Sequence, residues 1–169
     1  MNSFPTMQAL PATKIIHYSL FTLHYHQGGT MYPRTLAIDY GDRRIGLAVS
    51  DLLGITAQPI GYLTVNGDRD ALKQLAGYVN EYQIKKFVLG LPKNMDGSEG
   101  PRVEKTRDFA RKLSEDFPQI PIDYYDERMT TIVAQRALIG MNVKKKEGKK
   151  DMLSAAIILQ GYMDCNPNG

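Results

Sequence analysis

A chain of 169 residues, 43% of them hydrophobic, has enough apolar material for one ordinary domain core and is sized for a single domain. It has no apolar run near the ~18 residues of a membrane span, and its single cysteine, Cys165, excludes an internal disulfide and a zinc cluster, which points to a reducing cytosol. The net charge of +3 is only mildly basic, so a polyanionic partner would have to be held by clustered cations.

Residues 1–30 stand apart: they hold no Asp or Glu, a single Lys at Lys14, and all three histidines, His17, His24 and His26. The apolar stretch around Ile15 and Leu20 is too interrupted for a signal peptide, and a transit peptide would be richer in Arg. This segment is expected to be an N-terminal extension, disordered or upstream of a start at Met31, ahead of a domain over 31–165 and a tail over 166–169. His24 and His26 would supply two metal ligands at best.

Leu36, Ala37 and Ile38 predict a buried strand, and Gly41-Asp42 a turn into a second strand over 45–49. A third extended stretch over 54–63 contains Pro59 and Gly61, which suit an edge or bulged strand. Leu72, Leu75, Ala76 and Val79 have the spacing of an amphipathic helix over 68–82. A short apolar strand over 86–89, a turn-rich loop over 90–101 and a helix over 102–117, stopped by Pro118, follow. A fifth strand over 120–125 runs into Asp126-Glu127-Arg128, followed by a helix over 130–139, a lysine-rich linker over 140–150 and a closing helix over 151–163. Three strands followed by alternating helix and strand predict an α/β architecture, a mixed five-stranded sheet flanked by helices.

Three acidic sites fall where such a sheet binds ligands. Asp39 ends the first strand, Asp126 and Glu127 end the fifth, and Asp151 opens the last helix. Alternation puts Asp126 and Glu127 on opposite faces, so one of the two points into the site. Asp151 precedes Ala155 by four residues and Ile158 by seven, a spacing that turns it toward the sheet. Each acid alone has a structural explanation: Asp39 as a turn cap, Glu127 as a partner of Arg128, Asp151 as a helix N-cap. Together they are the oxygen-donor set of a Mg²⁺ or Mn²⁺ site for phosphate-ester chemistry.

Four motifs occur in order: Ile38-Asp39-Tyr40-Gly41 with Arg44-Ile45-Gly46, Gly90-Leu91-Pro92 to Ser98, Asp126-Glu127-Arg128 with Thr130-Thr131, and Asp151 before Ser154-Ala155-Ala156. From Arg34 to about Tyr162 the chain resembles the YqgF family, bacterial relatives of Holliday junction resolvases with the ribonuclease H fold. The resemblance implies a ribonuclease H-like nuclease dependent on Mg²⁺ or Mn²⁺. Its implied task is maturing the 5′ end of pre-16S rRNA in ribosome biogenesis, with resolution of four-way DNA junctions as the alternative. The metal-binding and catalytic positions it implies are Asp39, Glu127 or Asp126, and Asp151.

Cations near these acids complete the expected substrate path. Lys144, Lys145, Lys146, Lys149 and Lys150 put five lysines in seven residues before Asp151, where a basic loop would hold a phosphate backbone that the carboxylates repel. Arg43 and Arg44 adjoin Asp39, Arg107 and Arg111 are one helical turn apart, and Arg128 either orients its neighbouring acid or binds phosphate. Tyr40 is the aromatic best placed to stack on a base, whereas Tyr124 and Tyr125 belong to the strand and core. RNA or branched DNA, read by shape and backbone, is the expected partner of a cytoplasmic monomer or homodimer. An actin-like or sugar-kinase ATPase would need a second phosphate loop and more length. A non-catalytic RNA-binding or transcription-associated factor would keep the carboxylates as relics.

Overall fold

The computed structural model describes residues 33–129 and 149–166. The expected extension over 1–30, the helix over 130–139 and Lys144, Lys145 and Lys146 lie outside the described residues.

Five strands form one sheet: β1 (Arg34–Asp39), β2 (Arg44–Ser50), β3 (Ala57–Thr64), β4 (Ile84–Leu91) and β5 (Ile122–Asp126), in the order β3-β2-β1-β4-β5. β1 pairs antiparallel with β2 and parallel with β4, and β5 pairs parallel with β4. The central position of β1 explains its unbroken apolar run, since Leu36, Ala37 and Ile38 are covered on both faces. β3 is an edge strand, and its register skips a residue between Gly61 and Pro59, where the missing proline N–H costs least.

On one face lie α1 (Asp68–Tyr82) and α2 (Pro101–Asp116); on the other lies α3 (Lys149–Cys165). Leu36, Ile38, Leu47, Phe87 and Leu89 pack against Leu75 of α1 and Phe109 and Leu113 of α2. The opposite face is built from smaller residues, Ala37, Ala48, Ala57 and Val88, under Ala155, Ala156, Ile158 and Leu159 of α3. Small side chains on both surfaces let this helix seat close to the sheet.

Several boundaries differ from expectation for local reasons. The third strand begins at Ala57 rather than residue 54 because Asp51 closes a turn: its carboxylate accepts from the Ile55 N–H and the Thr56 hydroxyl. β4 runs on to Leu91, taking Gly90 and Leu91 out of the predicted loop, because both continue the parallel ladder with β5. β5 starts two residues later than expected, at Ile122. The last helix starts at Lys149, so Lys149 and Lys150 belong to it rather than to the linker, and Asp151 sits in its first turn instead of capping it. Pro101 opens α2 at a position that needs no N–H donor.

Candidate active site

Strand alternation decides which acids meet. Asp39 shares the face of Ala37, and its ladder partner Gly46 shares that of Ala48. Gly90 follows Val88 on the same face as Tyr125, and Glu127, the first residue of the 3₁₀ turn Glu127–Met129 after β5, brings its carboxylate to that face over Gly90. All of these positions look toward α3.

Glycine makes the space. A Cβ on Gly90 would stand 2.5 Å from Glu127 Oε1 and 2.5 Å from Ile158 Cδ1, so the Glu127 carboxylate lies directly over the bare backbone of β4. A Cβ on Gly46 would stand 2.0 Å from the Asp151 carbonyl oxygen, so the first turn of α3 rests on β2 beside Asp39. Asp151 also shares the helical face of Ala155 and Ile158, both buried.

The electrostatics follow from this crowding. Burial, and next the charge of Asp39, raise the Glu127 carboxyl from its ordinary 4.5 to about 7, while Arg102 opposes the rise. Asp126 is on the other face and behaves oppositely. Arg128 clasps it with Nε to Oδ1 at 3.0 Å and Nη2 to Oδ2 at 2.7 Å, and the Arg128 N–H donates to Oδ1 as well. These bonds hold the Asp126 carboxyl below its usual range.

Of the sequence-predicted acids, Asp39 and Glu127 come into electrostatic contact, Asp151 is carried next to them on backbone packing, and Asp126 is an ion-pair partner. Among the described residues no three His, Cys, Asp or Glu side chains converge tightly enough to cage a metal ion. The donor set nonetheless fits Mg²⁺ or Mn²⁺: Mg²⁺ keeps several waters and is held by one or two carboxylates together with substrate phosphates, and a like-charged pair under a glycine gap is relieved by a cation.

Among the predicted cations, Arg43 and Arg44 are exposed in and after the turn that follows Asp39, with Arg44 on the Gly46 face. Arg107 donates to Glu99 at 2.9 Å and lies over Tyr124, and Arg111 pairs with Glu115, so both arginines are engaged on the surface of α2. Tyr40 does not offer a base-stacking face. It stacks on Phe109 with ring centroids 4.5 Å apart and donates its hydroxyl to Asp68 at 2.7 Å, because the residue after Asp39 belongs to the other side of the sheet. Tyr124 is exposed rather than core. Arg102 and Lys105 escaped the sequence reading. They sit one turn apart at the start of α2, at 3.7 and 3.0 Å from Asp42, and Arg102 is close enough to act on Glu127. Their i, i+3 spacing beside the acidic turn was the available signal.

Comparison with known proteins identifies the family and the fold. The family described as RuvX, a Holliday junction resolvase, matches residues 33–165. A protein of Halothermothrix orenii named "Putative pre-16S rRNA nuclease" is 44% identical over 133 residues, covering 78% of this chain and 94% of that protein. A Lactococcus lactis subsp. cremoris protein of the same name is 43% identical over 140 residues, covering 80% and 97%. Among solved structures, Thermus thermophilus RuvC superposes with a TM-score of 0.52 at 10% identity over 78% of this chain and 96% of that one. The same protein in complex with a Holliday junction substrate gives 0.51 at 13% identity, covering 80% of this chain and 97% of that one. A five-stranded sheet in the order β3-β2-β1-β4-β5, acids at the ends of β1 and β5, and relatives aligned over nearly their whole length make this chain a member of the RuvX family of Holliday junction resolvases, with the ribonuclease H-like fold of RuvC.

Proposed function

We propose that the protein is a nuclease that hydrolyses phosphodiester bonds with Mg²⁺ or Mn²⁺, and that it processes the 5′ end of pre-16S rRNA. The observation that carries the reading is the apposition of Asp39 and Glu127 on the α3 face, over Gly90 and beside the Asp151 turn. Two carboxylates pressed together at a partly buried sheet end destabilise the fold, which argues against relics in a passive binding factor. The names of the relatives favour rRNA as substrate.

Asp39, Glu127 and Asp151 would hold the metal. When bound, a divalent cation supplies Lewis acidity toward the phosphodiester and lowers the pKa of water. Asp126 with Arg128 keeps the strand end and its following turn in place so that Glu127 faces Asp39. Arg102 and Lys105, with Arg43 and Arg44, would line the rim on which the phosphate backbone rests, and Lys144, Lys145, Lys146, Lys149 and Lys150, five lysines in the seven residues before Asp151 in the sequence, are further phosphate-binding candidates. Arg107 and Arg111 form an outlying part of the same track. No helix among the described residues is long and apolar enough to cross a membrane.

The test pairs two substrates. Purified protein with Mg²⁺ or Mn²⁺ is expected to trim a 5′-extended small-subunit rRNA precursor faster than it cuts a four-way DNA junction. Asp39→Asn and Asp151→Asn should abolish cleavage while leaving RNA binding largely intact; equal rates in mutant and wild type would sink the metal-site reading. The family description and the RuvC-like fold favour the junction as the second reading. Preference for it would imply a symmetric homodimer, whereas rRNA trimming needs only a monomer.

A further inference from the structure

The turn that follows β4 holds a large apolar side chain out in water. Met95 is 92% exposed, far more than any other large apolar residue described. An exposed methionine on a slack loop would mean little, but this turn is closely braced. The Asn94 N–H donates to the Ser98 carbonyl and the Gly97 N–H to the Asn94 carbonyl. The Asn94 side-chain amide donates to the Ser98 hydroxyl, and the Ser98 N–H and hydroxyl both donate to Asp96. Gly97 has φ +90°, a conformation glycine adopts without penalty, and the Arg128 guanidinium closes on it, with Nη1 3.2 Å from the place a Cβ would occupy.

Arg128 ties the turn to the candidate site. It follows Glu127 directly, is clasped by Asp126, and reaches across the ends of β4 and β5. Met95 is therefore presented at the same sheet edge as Asp39 and Glu127, on a support that shares a residue with the acidic strand end. Lys93 and Arg128 stand on either side of it, each held by an acid, Lys93 by Glu99 at 3.2 Å and Arg128 by Asp126 at 2.7 Å.

We propose that Met95 is a wedge that enters the base stack of the bound nucleic acid next to the phosphodiester to be cut. The inference rests on the nuclease reading and deepens it. Methionine suits the task because it is unbranched, polarisable and attractive to aromatic faces. Apolar residues inserted between base steps partly unstack them, at a cost repaid by the contacts the distorted backbone makes with the protein. A rigid turn matters here, since ordering a slack one on binding would consume the stacking energy.

The experiment uses the full chain and two substrates, the 5′-extended rRNA precursor and a four-way DNA junction, each carrying 2-aminopurine at successive positions around the cut. Asp39→Asn holds the substrate uncleaved. Its binding should raise fluorescence at one or two adjacent positions, and Asp39→Asn/Met95→Ala should leave them dark with an unchanged salt dependence of affinity. In the otherwise wild-type chain, Met95→Ala should slow cleavage by about tenfold or more, and Met95→Leu should restore most of the rate. The thermal midpoint of Met95→Ala should match the wild type, because the side chain contacts water. Identical fluorescence profiles and cleavage rates with and without Met95 overturn the wedge and leave the nuclease reading standing; that result would assign the tip to a protein surface instead. A wild-type chain that neither binds nor cuts either substrate overturns both.

Discussion

Glu127 concentrates the physics of the site in one titratable group. Its carboxyl is raised from 4.5 to about 7 by burial and by Asp39, so between those values the native state keeps a proton that the unfolded chain has released. Stability must then fall as pH rises from about 4.5 to about 7, by about 1–3 kcal/mol once solvent screening of a partly exposed group is allowed for. In EDTA, the thermal midpoint of wild type should drop across this window and that of Glu127→Gln should stay flatter. Asp39→Asn should move the drop to lower pH by removing the neighbouring charge. Added Mg²⁺ or Mn²⁺ should raise the wild-type midpoint more at pH 8 than at pH 5, since a cation competes with the proton for the same oxygens. A wild-type midpoint indifferent to pH in EDTA would remove the crowded-carboxylate account.

Two glycines separate the roles of the elements that build the site. At Gly46 an added methyl meets the Asp151 carbonyl oxygen at 2.0 Å, a backbone atom that cannot swing aside, so Gly46→Ala must lift the start of α3 off β2. It should cost about 1–3 kcal/mol of stability, measured by urea unfolding. At Gly90 the methyl meets the ends of the Glu127 and Ile158 side chains, which can rotate. Gly90→Ala should therefore unfold near the wild-type midpoint yet cleave at least about tenfold more slowly, because the displaced group is the proposed metal ligand. The opposite pairing, a stable Gly46→Ala and an active Gly90→Ala, would mean that the site lies elsewhere. These contacts also mark where sequence stopped being informative. Periodicity located α1 to the residue and placed Asp39 and Asp126 at strand ends, with Glu127 just after, since helical spacing and apolar runs are local properties. Strand parity required one of Asp126 and Glu127 to face inward, but the choice depends on the register of β5 against β4, which local pattern does not contain. Tyr40 was misjudged for the same reason: its partners Phe109 and Asp68 are distant in the chain. The engagement of Arg128 with Gly97 likewise joins segments whose proximity only the folded sheet reveals.

At the scale of the whole molecule, an acidic centre must accept a polyanion on a chain whose net charge is only +3. Bulk attraction is too weak for this, so under the proposed function affinity would come from clustered cations: Arg102 and Lys105 at the start of α2 and Arg43 and Arg44 after β1, with the lysines that precede Asp151 in the sequence as further candidates. Each cation that neutralises a phosphate adds about 0.7 to the salt slope for a single strand and about 0.9 for duplex DNA. Replacing Lys144, Lys145, Lys146, Lys149 and Lys150 by Gln should lower the slope by at least about two, and Arg102→Gln with Lys105→Gln by about one to two. The acids should contribute with the opposite sign. Without divalent cation, Asp39 and the ionised fraction of Glu127 repel the phosphate that the rim attracts, so in EDTA at pH 8 Asp39→Asn should bind RNA more tightly than wild type. Saturating Mg²⁺ should close that gap, because the cation neutralises the charge that the substitution removes. Protonating Glu127 should close part of it as well, so the difference measured in EDTA should shrink from pH 8 to pH 6, on either side of its value of about 7. If Asp39→Asn binds no better than wild type in EDTA, the phosphate does not pass over Asp39 at all, and the path along the α2 rim would have to be drawn away from the ends of β1 and β5.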